Sequence, residues 1–167
     1  MALYTTSAII SFYDRLEETA IRFYEVLADK HSEGRNIFLD LAKEHRAERE
    51  TLLRAYREAI TDVAEVGFSF AGMHEHSYTI EPKLDENLSF SQSVTKALEI
   101  EERICQFCVD VGEKSKGLLT DISQAFLRSA GIKAENKRRL ERLLEKNPAS
   151  KGNYFLASSS YSSAWGS

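Results

Sequence analysis

Apolar residues recur at three- and four-residue steps through four long stretches of the chain, so each stretch reads as a helix with one inward face. The first runs from about Ser7 to Asp29, with the stripe Ile9, Tyr13, Glu17, Ala20, Tyr24 and Leu27. The second runs from about Arg35 to Ala64 and carries Phe38, Leu41, His45, Glu48, Leu52, Ala55 and Ala59. The third begins near Ser91 or Ser93, each a suitable N-cap, and ends near Lys114. Its stripe is Val94, Ala97, Glu101, Ile104, Cys108 and Val111, with Leu98 and Cys105 beside it. The fourth runs from about Leu118 to Lys146, with Leu119, Ile122, Phe126, Ser129, Lys133, Asn136, Leu140 and Leu143.

The breaks between these stretches are of two kinds. Short polar turns follow the first stretch (HSEGRN, with Gly34 as breaker) and the third (GEKSKG). Residues 65–92 are different: they hold Gly67, Gly72, Pro82, several aromatics, His74 and His76. A connection of that length suits a crossover running the length of a bundle, and it has room for a short helix or strand pairing of its own. Asn147-Pro148 stops the last stretch, and residues 147–167 form a Ser-rich tail with four aromatics. The expectation is an all-α chain of more than about 60% helix, well above the usual one-third. Residues 1–146 form the bundle and 147–167 the tail.

The two hairpins repeat. A shift of 84 lays Glu17-Glu18 on Glu101-Glu102, Phe23 on Phe107 and Lys30 on Lys114. A shift of 88 lays Phe38-Leu39 on Phe126-Leu127, Ala42 on Ala130, Leu52 on Leu140 and Arg54 on Arg142. Two copies of one hairpin suit a closed bundle better than a solenoid.

Each stripe has polar interruptions near its middle: Glu17, then His45 and Glu48, then Glu101, then Lys133 and Asn136. At about 1.5 Å of rise per residue, all six fall at similar heights measured from the turns. A bare carboxylate inside a bundle costs several kcal/mol unless it is paired, protonated or bound to a metal. Three carboxylates and one imidazole in a dry place form a ligand set suited to iron, manganese or zinc. The competing reading is a metal-free buried polar network closed by Lys133 and Asn136.

These residues resemble the rubrerythrin-like branch of the ferritin-like superfamily, over about residues 8–146. The first hairpin reads Glu17-x-x-Ala20-x-x-Phe23-Tyr24, then Phe38-x-x-Leu41-Ala42-x-x-His45-x-x-Glu48. The second reads Glu101, Phe107, then Phe126-x-x-Ser129-Ala130-x-x-Lys133-x-x-Asn136. The family places Glu-x-x-His where this chain has His45-x-x-Glu48, and again where it has Lys133 and Asn136. The resemblance implies a ferritin-like antiparallel four-helix bundle, two repeated helical hairpins joined by a long crossover. It also implies about one iron ion per chain (manganese or zinc in its place), held by Glu17, His45, Glu48 and Glu101. The activity implied is that of an iron or manganese oxidoreductase of peroxidase or ferroxidase type, acting on oxygen or peroxide. The alternative on the same scaffold is a non-enzymatic structural or partner-binding bundle, its core site free of metal.

Composition narrows the partners. A net charge of -4 over 167 residues argues against nucleic acid as a general partner, and no apolar run approaches a membrane span. No basic region with an apolar core opens the chain, and the two cysteines sit together in CQFC, so a reducing, cytoplasmic setting is expected. A homodimer is expected from the long connection and the aromatic tail. In mid-helix, Cys105 and Cys108 read as small buried hydrophobes rather than a redox pair. His74 and His76 read either as solvated loop histidines or as a surface metal pair.

Overall fold

The structure is a computed structural model that describes residues 1–62, 70–82, 87–117 and 119–147. Helix makes up 83% of them. Four long helices dominate: α1 (Thr6–Lys30), α2 (Arg35–Asp62), α4 (Phe90–Ser115) and α5 (Thr120–Lys146). The short α3 (Glu75–Tyr78) lies in the connection between α2 and α4, and a single 3-10 turn, Ser32–Gly34, joins α1 to α2. No strand forms among the described residues; one isolated antiparallel bridge pairs Ala2 with His74. Of the expected tail, 147–167, residues 148–167 lie outside the described residues, as do 65–69 and 83–86 of the expected connection, 65–92.

The helix ends follow local chemistry. Thr5 caps α1 by accepting a hydrogen bond from Ala8 N at 3.1 Å. The start of α4 corrects the expected cap. Ser89, not Ser91 or Ser93, is the N-cap, in a reciprocal box with Gln92. Ser89 Oγ accepts from Gln92 N at 3.2 Å, and Gln92 Oε1 accepts from Ser89 N at 2.9 Å. Gly34 lies in the turn between α1 and α2, as expected of a breaker, and its backbone is not left-handed. A Cβ there would lie 2.6 Å from Phe38 Cε2 and 2.8 Å from Phe90 Cε2. Its role is to let two buried rings close over the turn.

The helices pack as two hairpins, α1 with α2 and α4 with α5, laid against each other. Direction is fixed by paired contacts. Tyr24 meets Phe38 while Glu17 meets His45, so α1 and α2 are antiparallel. Phe107 meets Phe126 while Cys105 meets Ala130, so α4 and α5 are too. Between the hairpins, Phe38 meets Phe90 and His45 meets Glu101. Both numbers rise together, so α2 and α4 run parallel. Parallel neighbours in sequence need a chain that returns the length of the molecule, which is why the connection between them is long.

Every residue of the α1 and α4 stripes is buried. Two aromatic layers flank the middle of the core. One gathers Phe12, Tyr13, Tyr78, Phe107 and Phe126, the other Tyr24, Phe38, Phe90 and His31, with ring centroids 5.2–6.5 Å apart. Between these layers lie the polar interruptions.

Candidate functional site

One ionisable side chain enters the centre from each long helix: Glu17 from α1, His45 from α2, Glu101 from α4 and Lys133 from α5. All four have no solvent exposure. His45 is the hub. Its Nδ1–H donates to Glu17 Oε2 at 2.6 Å and its Nε2–H to Glu101 Oε1 at 2.7 Å. Lys133 Nζ straddles the Glu17 carboxylate, donating to Oε2 at 3.2 Å and lying 2.9 Å from Oε1. The Tyr24 hydroxyl donates to Glu101 Oε1 at 2.5 Å. These contacts join all four long helices, and three of the residue pairs, His45–Glu101, Lys133–Glu17 and Tyr24–Glu101, cross the interface between the hairpins.

The quartet keeps the internal repeat. The shift of 84 carries Glu17 to Glu101, and the shift of 88 carries His45 to Lys133. Each hairpin therefore contributes one carboxylate and one base. With both bases protonated, two positive charges balance two negative ones.

Electrostatics supports that state. Burial alone would raise the Glu17 pKa, but the Lys133 ammonium and the His45 ring outweigh it and hold the carboxyl at about 2. Burial and the neighbouring Lys133 push His45 down, yet the Glu101 and Glu17 carboxylates hold it at about 9. Glu101 is lowered against burial by His45 first and then Lys133. Lys133 is raised against burial by Glu17 and Glu101. His45 and Lys133 Nζ are 3.1 Å apart at Nδ1. Two cations tolerate that separation because Glu17 lies against both.

Of the four expected metal ligands, Glu17, His45 and Glu101 come together and Glu48 stands aside. Glu48 is half-buried and makes no hydrogen bond or ion pair among the described residues. Burial raises its pKa, with Lys133 opposing. Asn136, its counterpart in the second hairpin, is buried, and its Oδ1 accepts from Arg139 at 3.4 Å. Lys133, which the metal-free reading of the sequence places in a buried polar network, pairs with Glu17. Tyr24 was legible as a stripe residue, but nothing in the spacing marked it as a partner of Glu101.

A metal fits this donor set poorly as arranged. Both ring nitrogens of His45 are engaged by carboxylates, whereas a ligating imidazole offers one nitrogen as a lone pair. A fixed ammonium already occupies the open side of Glu17. Among the described residues, no group of three or more His, Cys, Asp or Glu side chains is arranged to hold a metal ion. Glu101 Oε2 and Asn136 Nδ2 are buried without a partner among the described residues, whereas Glu17 Oε1 has the Lys133 ammonium beside it.

Cys108 is buried, and burial pushes its thiol well up; Cys105 is half-buried and its Sγ donates to Ala130 O at 3.4 Å. Neither has the lowered pKa of a reactive thiol. No described helix is long and apolar enough to cross a membrane. In comparisons with known proteins, no family model matches the chain, and no curated protein or solved structure gives a significant match.

Proposed function

We propose that this chain is a ferritin-like four-helix bundle of rubrerythrin type in which a charge-balanced quartet stands in place of the metal centre. On this reading it works as a structural or partner-binding bundle rather than an oxidoreductase. One observation carries the reading: the His45 ring is clamped between Glu17 and Glu101 through both its nitrogens, with Lys133 supplying the second positive charge. A cation fixed covalently to α5 does for Glu17 what an ion would otherwise do. The parallel course of α2 and α4 and the two repeated hairpins support the ferritin-like topology.

The competing reading is the metal-holding oxidoreductase that the resemblance implies. The unpartnered Oε2 of Glu101 and the half-buried Glu48 beside the quartet favour it. On that reading Glu17, His45, Glu48 and Glu101 would hold about one iron, manganese or zinc ion.

The test is elemental analysis of untagged protein, before and after reconstitution with ferrous iron, manganese and zinc, together with urea denaturation with and without chelator. A metal bound only to the native state adds stability as RT ln(1 + [L]/Kd). The quartet predicts a stability that ignores both chelator and added metal. One core-bound equivalent that raises the denaturation midpoint would overturn it.

A further inference from the structure

Outside the core, the geometry points to a second site: we propose that His74 and His76 form a surface two-imidazole site for a divalent late transition metal, with water filling the remaining positions. The two rings are stacked with centroids 5.5 Å apart and planes 24° from parallel. His74 has an extended backbone and is the N-cap of α3, without a side-chain capping bond. His76 lies in the first turn of α3, and the stacking of the two rings places both side chains on one side of the chain. Neither ring makes a hydrogen bond among the described residues, so their nitrogens are left for a ligand.

The backbone beneath the pair is held on both flanks. Leu3 N donates to Met73 O and Glu75 N to Met1 O, each at 2.9 Å. Glu75 is tied to Arg15 at 2.8 Å, and Arg103 donates to Ser77 O at 2.7 Å. A held backbone lowers the ordering cost of bringing two ligands to one ion. Cis ligands at about 2.0–2.1 Å from a metal have nitrogens about 3 Å apart. Rotation about the side-chain torsions of two surface rings covers that difference. Imidazole suits zinc, copper and nickel, and Cu(II) is the tightest-bound of these. Glu75, held by Arg15, takes no part.

The experiment uses the untagged full chain and Cu(II) as probe. Titration calorimetry and electron paramagnetic resonance are run on the parent, on His74→Gln, on His76→Gln and on the double variant. Circular dichroism checks that each variant is folded. The parent should bind one equivalent with nitrogen hyperfine coupling from two imidazoles. Each single variant should lose at least tenfold in affinity and one coupled nitrogen, and Zn(II) should compete in the parent. Metal held at the core would survive the double variant, which separates this proposal from the reading of the quartet. Cu(II) binding and coupling equal in parent and double variant would overturn it.

Discussion

Replacing Lys133 by methionine should be among the most costly single changes in this protein. The substitution nearly keeps the length of the side chain but removes an ammonium that lies 2.9 Å from one Glu17 oxygen and 3.2 Å from the other, with no solvent access. Two carboxylates are then left facing one imidazolium. Breaking a buried pair by removing one partner costs about 3–5 kcal/mol, because the surviving charge is desolvated without compensation. The loss should shrink as pH falls, since Glu17 without Lys133 can take up a proton. The second change, Glu17→Gln in the Lys133→Met background, restores neutrality. The amide oxygen of the introduced glutamine would still accept from His45 Nδ1, and His45 would remain paired with Glu101. The double variant should therefore recover at least half of the loss, although Glu17→Gln alone is destabilising in the parent. Urea denaturation of the four proteins, followed by circular dichroism, gives the coupling as a double-mutant cycle. A loss under about 1 kcal/mol for Lys133→Met, or additive losses in the double variant, would refute charge balance as the reason for the lysine. So would a Lys133→Met protein that gains both metal and stability on addition of ferrous iron.

Three further outcomes follow from the same geometry. His45, with an ordinary pKa of 6.5 and about 9 in the fold, contributes stability that is complete below pH 6.5 and lost as pH rises through 9. Glu17, at 4.5 ordinarily and about 2 in the fold, contributes stability that is complete above pH 4.5 and lost as pH falls towards 2. Denaturation midpoints across pH should thus show a plateau between about 4.5 and 6.5, falling on either side by up to about 3 kcal/mol per group; a flat profile from pH 6 to 9 contradicts the clamped imidazolium. Tyr24→Phe removes a 2.5 Å hydrogen bond to Glu101, whose other oxygen has no described partner, and should cost about 1.5–3 kcal/mol in urea denaturation. Gly34→Ala should cost about 1–3 kcal/mol, because its methyl would press on Phe38 and Phe90; a thermal midpoint equal to the parent's would show that those rings can retreat.

The sequence by itself determined the helices, their inward faces and the internal repeat, because helical periodicity is a local property that burial then exploits. It also determined that polar groups interrupt each stripe at one level. It carried a signal for the α4 cap in Ser89-x-x-Gln92, although Ser91 and Ser93 compete with it by composition alone. Only the tertiary structure decided which of the polar groups touch. His45 and Glu48 are three residues apart, which leaves Glu48 about 60° round the helix from His45. Whether that offset lands in the core or at its edge depends on the neighbouring helix. On α2 it leaves Glu48 half-exposed, and on α5 the same step leaves Asn136 buried. The partner of Lys133 was equally beyond reach of spacing, since Glu17 and Glu101 lie at the same height on neighbouring helices. Which of the two carboxylates a long flexible side chain meets is set by how the two hairpins seat against each other, and no local pattern encodes that seating.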